Sequence, residues 1–303
     1  MSVEIIKEKG KYKFNQEAID CIVKKYSEHK GSITIQRELK NEFNVDVSVH
    51  GIYLVLHDNN ILIRNDREQA LKYSCNDNFF NIIDTEEKAY WLGFLYADGY
   101  INNKRKHGNY KVGIAISEKD REHLEKFKKA IQYTGNIKIY SPSLGENSYN
   151  GTKNYCRILI TSPTMAEDLI KKGCFVDKTN SLYYPDETIL PKELECHFIR
   201  GLIDGDGSLI ITNLFKENVH KEFEFSFTGT KSMCQGILRF LGKENLALCK
   251  RHKNRDNDNY SLSIGGNKQV LKIVSSLYEN ASVYLDRKYE KYLKMLEISR
   301  EQQ

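Results

Sequence analysis

One nonapeptide pattern occurs twice in this chain, as Trp91-Leu92-Gly93-Phe94-Leu95-Tyr96-Ala97-Asp98-Gly99 and as Ile199-Arg200-Gly201-Leu202-Ile203-Asp204-Gly205-Asp206-Gly207. Each copy is an apolar run with small residues at its third and seventh places and Asp-Gly at its end. Residues four apart share one face of an α-helix, so Gly93 with Ala97 and Gly201 with Gly205 would let two helix backbones pack unusually closely. Such helices, side by side, bring Asp98 and Asp206 together. Paired carboxylates at adjoining helix ends form a cradle for a divalent metal, because Mg²⁺ takes hard oxygen ligands and keeps positions open for water and phosphate. One copy alone reads as readily as a core helix with an Asp-Gly stop. Two copies 108 positions apart, each followed by a similar strand pattern, point to internal repetition.

Both nonapeptides resemble the LAGLIDADG motif, and the chain is similar to the single-chain, two-motif LAGLIDADG homing endonucleases. The resemblance implies an α+β fold of tandem, pseudo-two-fold αββαββα repeats forming a DNA-binding saddle. It also implies that Asp98 and Asp206, the eighth-place acids, hold Mg²⁺ or Mn²⁺ at a site that includes the preceding Ala97 and Gly205. A lysine from each repeat is expected beside the metals. Lys178, in Val176-Asp177-Lys178-Thr179, and Lys288, in Leu285-Asp286-Arg287-Lys288-Tyr289, occupy comparable places, with Arg287 or Lys291 as alternatives to the second. The copies differ at the sixth place, Tyr96 against Asp204. The implied activity is metal-dependent, site-specific double-strand cleavage of a long duplex target by a monomer, as in intron homing. A non-cleaving transcription regulator and an intron maturase on the same fold are the alternatives; the presence of both acids favours the enzyme.

Hydrophobic periodicity fills in the two repeats. After Gly99 a hairpin pattern runs from Tyr100 to Lys104 and returns from Lys111 to Ser117, where Val112, Ile114 and Ile116 alternate with Lys111, Gly113 and Ala115. A helix is expected over 119–133, a second hairpin over 137–140 and 155–161, and a helix over 165–172. In the second repeat Pro191 opens the motif helix. Strands over 209–214 and 223–228 follow, with Phe223, Phe225 and Phe227 on one face, then a helix over 232–241, a hairpin over 248–252 and 260–264, and closing helices over 268–278 and 285–299.

Ahead of the repeats, residues 14–64 read as three helices. Ser48 is a good N-cap for the third, which runs from Val49 to about Asp58. This outline resembles a helix-turn-helix DNA-binding module, in which Ser48, His50, Gly51 and Tyr53 would begin the recognition helix and face the major groove. The boundaries are then 1–66 for this module, 67–83 for a linker, 84–183 for the first repeat and 184–303 for the second. Asp84 with Glu87 makes a capping-box-like start to the first motif helix.

The net charge of +5 is modest. Most of the excess lies in residues 250–300, where 11 basic side chains meet 6 acidic ones. That distribution permits a nucleic-acid partner without requiring one. Long cationic side chains on strands and hairpin turns suit phosphate contact and guanine reading: Lys104, Arg105, Lys106, Lys111, Lys138 and Arg157 in the first repeat, and Lys216, Lys250, Arg251, Lys253 and Arg255 in the second. Glu222 and Glu224 either read cytosine amino groups or face solvent. The seven cysteines are scattered and never spaced as Cys-x-x-Cys, which reads as reduced thiols, and the eight histidines have no zinc-ligand spacing. With no signal-peptide core and no apolar stretch near membrane-spanning length, a cytoplasmic or organellar protein is expected, neither secreted nor membrane-bound.

Overall fold

The computed structural model describes residues 3–8, 11–28, 30–61, 73–102, 110–141, 154–174, 182–214, 219–251 and 259–301. The chain divides into two compact units, 1–74 and 75–303.

The first unit begins with an antiparallel hairpin, β1 (Ile5–Glu8) and β2 (Lys11–Phe14), that the sequence reading did not anticipate. Three helices follow: α1 (Gln16–Ser27), α2 (Ser32–Phe43) and α3 (Val49–Asp58). Their starts and stops are local chemistry. Asn15 caps α1 by accepting the Ala18 N–H at 2.9 Å, α2 stops where Asn44 turns left-handed at φ 55°, and Ser48 caps α3 by accepting the Gly51 N–H at 3.1 Å. Ile22, Tyr26, Ile35, Leu39, Val47, Ile52, Val55 and Leu56 form the core, with Ile5, Tyr12 and Phe14 of the hairpin packed against it.

The second unit starts earlier than a linker over 67–83 would allow. Phe79 and Phe80 are buried, and the Asn76 N–H bonds the Ile131 carbonyl at 2.7 Å. The order is then α4 (Glu86–Ala97), β3 (Gly99–Asn102), β4 (Lys111–Ser117), α5 (Arg121–Ala130), β5 (Lys138–Tyr140), β6 (Tyr155–Thr161) and α6 (Pro163–Lys171). It repeats as α7 (Glu195–Asp206), β7 (Gly207–Ile211), β8 (Phe223–Gly229), α8 (Lys231–Phe240), β9 (Cys249–Lys250), β10 (Tyr260–Gly265) and α9 (Asn267–Tyr278), with α10 (Asp286–Glu301) added at the end. This is an α+β fold of two αββαββα units. The α4 cap is Thr85, which accepts the Lys88 N–H at 3.3 Å, whereas Asp84 instead takes the Lys88 ammonium at 2.7 Å. Pro191 precedes a single 3₁₀ turn, Lys192–Leu194, that leads into α7.

Each αββαββα repeat carries a four-stranded antiparallel sheet, ordered β3-β4-β6-β5 and β7-β8-β10-β9. Ile114 pairs with Ile158 and Val112 with Ile160 on the buried face of the first sheet, and Phe225 pairs with Leu209 and Ile264 in the second. Strand alternation leaves each opposite face open.

Candidate active site

The motif helices meet backbone to backbone. A Cβ on Gly93 would stand 2.0 Å from the Phe198 carbonyl oxygen, and one on Gly201 would stand 2.0 Å from that of Tyr90. Both positions therefore need glycine for α4 and α7 to approach so closely. At the end of this contact a Cβ on Gly205 would meet the Ala97 methyl at 2.3 Å and Asp98 Oδ2 at 3.1 Å. Asp98 thus lies against the residue that precedes Asp206. Asp98 caps the C-terminus of α4 and is partly exposed, while Asp206 is the exposed last residue of α7. Asp98 and Gly205 open into a cleft of about 800 Å³, also lined by Tyr100, Asp120, Arg157 and Arg287.

Behind the cleft lies a buried polar network. Asp204 is fully buried and accepts from the Tyr90 hydroxyl at 2.6 Å, the Tyr278 hydroxyl at 2.6 Å and the Leu285 N–H at 2.7 Å. Burial holds its carboxyl above the usual range, against the pull of Lys288 and these donors. At the same place in the first motif, Tyr96 donates to the Lys172 carbonyl. Since Tyr90 gives its hydrogen to Asp204, the contact at 3.0 Å between its oxygen and His123 Nε2 has the imidazole as donor. The Arg200 guanidinium, also buried, pairs with Glu86 at 2.6 Å and donates to the carbonyls of Val283 and Leu277.

Lys288 turns inward. Its ammonium is buried and donates to the carbonyls of Ile203 and Gly207, the latter at 2.7 Å, at the C-terminal end of α7. Burial pushes its pKa down to about 8, although Asp204 and Asp98 pull the other way. Lys291 donates to the Leu209 carbonyl at 2.8 Å. Arg287 is the member of this trio that lines the cleft, and its Nε bonds both Asp120 oxygens, at 3.1 and 3.0 Å. The pairing joins residues 167 positions apart and has no sequence signal.

The donor set suits a hard divalent cation. Among the described residues no three His, Cys, Asp or Glu side chains cluster as a metal site. Mg²⁺ is commonly held by one or two carboxylates, with water and phosphate oxygens completing the shell. Glycine at 205 leaves Asp98 Oδ2 uncrowded, since a Cβ there would stand 3.1 Å from that oxygen.

Register settles which faces carry the expected groove contacts. Lys111, Lys138 and Arg157 share the open face of the first sheet with Tyr100, Tyr140 and Tyr155. Arg157 lies 4.5 Å over the Tyr140 ring and also donates to its hydroxyl. The open face of the second sheet carries Ser208, Ser226, Ser261, Ser263 and Glu224, and Glu224 accepts from the Ser263 hydroxyl at 2.8 Å. Lys250 is exposed, but it pairs with Tyr260 and so alternates onto the opposite face. Arg251 is exposed. Lys104, Arg105, Lys106, Lys178, Lys216, Lys253 and Arg255 lie outside the described residues.

In the first unit His50 is exposed and Tyr53 and Ser48 are half-buried, whereas Gly51 does not face outward as a groove-reading residue would. It packs against the unit's own core, where a Cβ would meet Val47 Cγ2 at 2.9 Å and Tyr12 Cδ2 at 3.1 Å.

Residues 85–169 match the family described as LAGLIDADG-like domain. No curated protein matches the chain. Among solved structures, the chain is similar to the meganuclease I-SmaMI bound to uncleaveable DNA, at 12% identity over 69% of this chain and 88% of that one, with a TM-score of 0.45. It is also similar to the I-LtrWI LAGLIDADG homing endonuclease bound to target DNA, at 14% identity over 74% and 90%, with a TM-score of 0.45. No helix among the described residues is long and apolar enough to cross a membrane.

Proposed function

From a chain that carries a LAGLIDADG-like domain at residues 85–169, we propose a site-specific endonuclease that binds a long double-stranded DNA target and hydrolyses a phosphodiester in each strand. The observation that carries this reading is the glycine-mediated contact of α4 with α7, which sets Asp98 against Gly205, the residue before Asp206, in the lining of a cleft. Asp98 and Asp206 are the proposed ligands of Mg²⁺ or Mn²⁺, with the Ala97 and Gly205 backbone at the same site. When bound, the metal supplies an activated water and stabilises charge on phosphorus and the leaving oxygen.

The chain's own groups do the rest. The open face of the first sheet offers Lys111, Lys138 and Arg157 to phosphates and base edges in the major groove, which is wide enough for a two-stranded ribbon. Lys288 fastens the end of α7 from beneath, which holds the backbone around Asp206 in place. The first unit is proposed to extend the footprint through α3, with His50 as its exposed reader.

The test is cleavage of a supercoiled plasmid carrying the DNA that flanks the gene's own insertion site. Linear product that needs Mg²⁺ and disappears with EDTA supports the reading. Tight binding of the same DNA without cleavage would favour the non-cleaving regulator.

A further inference from the structure

Lys288, Arg287 and Lys291 are the second repeat's candidates for the cation beside the metals, and their surroundings separate them. Lys288 spends its ammonium on the Ile203 and Gly207 carbonyls, and Lys291 reaches the Leu209 carbonyl. Arg287 lies in the cleft that Asp98 and Gly205 line. Its described bonds to Asp120 both come from Nε, so the two terminal amino groups of the guanidinium fork are not committed to that carboxylate. The Asp120 side chain is 13% exposed against 51% for Arg287, so the acid sits in the wall and the cation reaches from it.

The segment that delivers Arg287 is held from three sides. Lys126 donates to the Tyr284 carbonyl at 3.1 Å and pairs with Asp286 at 2.6 Å. Asp204 takes the Leu285 N–H at 2.7 Å, and Asp120 takes Arg287 itself. Lys126 and Asp120 belong to the first αββαββα unit, whereas residues 284–288 belong to the second. A planar guanidinium whose Nε is engaged by Asp120 still carries two terminal amino groups, a fork suited to two-point contact with a phosphate in a geometry that a lysine cannot reproduce.

We propose that Arg287 contacts the reacting phosphate at the Asp98 end of the cleft and that Asp120 is its positioning residue, reaching across the repeat boundary. This assignment rests on the endonuclease reading. It makes the two cleavage centres unequal, because Arg287 serves the strand held at one of them.

The experiment measures single-turnover nicking of each strand of the flanking-site plasmid by the full-length protein, together with its Kd for the same DNA. Arg287→Ala is expected to slow one strand by about 100-fold, the size of effect seen when one charge-stabilising donor is removed, with Kd within about threefold and nicked circles accumulating. Arg287→Lys should recover part of that loss. Asp120→Asn should slow the same strand by roughly tenfold, a strand-selective change that a loss of general stability would not produce. Because the Arg287 side chain is half exposed, Arg287→Ala should not shift the melting temperature appreciably. Arg287→Ala cutting both strands at the wild-type rate, or losing only affinity, overturns the assignment while leaving the endonuclease reading intact. A wild-type protein that leaves the plasmid uncut overturns both.

Discussion

Tyr90 on α4 donates its hydroxyl hydrogen to Asp204 on α7 at 2.6 Å, tying together by side chains two helices that Gly93 and Gly201 already join by backbone. Tyr278 adds a second bond to the same carboxylate at 2.6 Å. Since Asp204 is fully buried, each donor offsets part of the penalty of removing a carboxylate from water. Tyr278→Phe should therefore destabilise the protein by about 2 kcal/mol, the range for losing a hydrogen bond to a charged group. Urea unfolding measures this, and a midpoint equal to wild type would mean that Asp204 does not depend on Tyr278.

The backbone contact makes a separate prediction. Gly201→Ala places a methyl carbon 2.0 Å from the Tyr90 carbonyl oxygen, so the helices must separate. Overpacking of this kind costs roughly 1–3 kcal/mol. Thermal melting checks it, and an unshifted melting temperature for Gly201→Ala would show that α4 and α7 can part without loss.

His123 gives the fold a pH dependence. Burial, with help from the nearby charges of Lys126 and Arg287, lowers its pKa from 6.5 to about 3. A histidine held neutral in the fold but protonated when unfolded contributes stability that is fully present above pH 6.5. The unfolded chain binds the extra proton between about pH 6.5 and 3, so stability falls through that window by up to about 1.4 kcal/mol per pH unit. Comparing urea midpoints at about pH 7 and about pH 5, the wild type should lose more than His123→Phe. Equal losses would show that His123 does not carry this dependence.

Much of this was legible in the sequence because its signals are local. The two nonapeptides marked the motif helices, and the alternation of Phe223, Phe225 and Phe227 marked a strand whose buried face those residues do occupy. The Ser48 cap and the α3 span followed from capping chemistry alone. Contacts between distant residues were not legible. Asp120 and Arg287 are ordinary surface charges until the fold brings them together. Gly51 reads in the sequence as part of an outward helix face because its packing against Tyr12 depends on an N-terminal hairpin distant in the chain. The Lys250 side is decided by strand register, since one step along a strand exchanges the open face for the covered one.

The first unit supplies a test of footprint. A truncated protein beginning at Cys75 should fold, because the second unit contains both motif helices and both four-stranded sheets. On a long target it should bind more weakly, lose protection at one end and show a shallower dependence of affinity on salt as phosphate contacts disappear. An unchanged footprint and unchanged affinity at matched salt would assign residues 1–74 a role other than DNA contact.

The most direct measurement is cleavage of the flanking-site plasmid in Mg²⁺ by wild type, Asp98→Asn and Asp206→Asn, with Kd determined for each. Both side chains lie at helix ends beside the α4–α7 contact and outside the open sheet faces, so their charge is needed for the metal more than for the groove. The expected result is double-strand cleavage by wild type and loss of it in both variants, with Kd within about threefold of wild type. Either variant cutting at near the wild-type rate would contradict a joint metal site at Asp98 and Asp206.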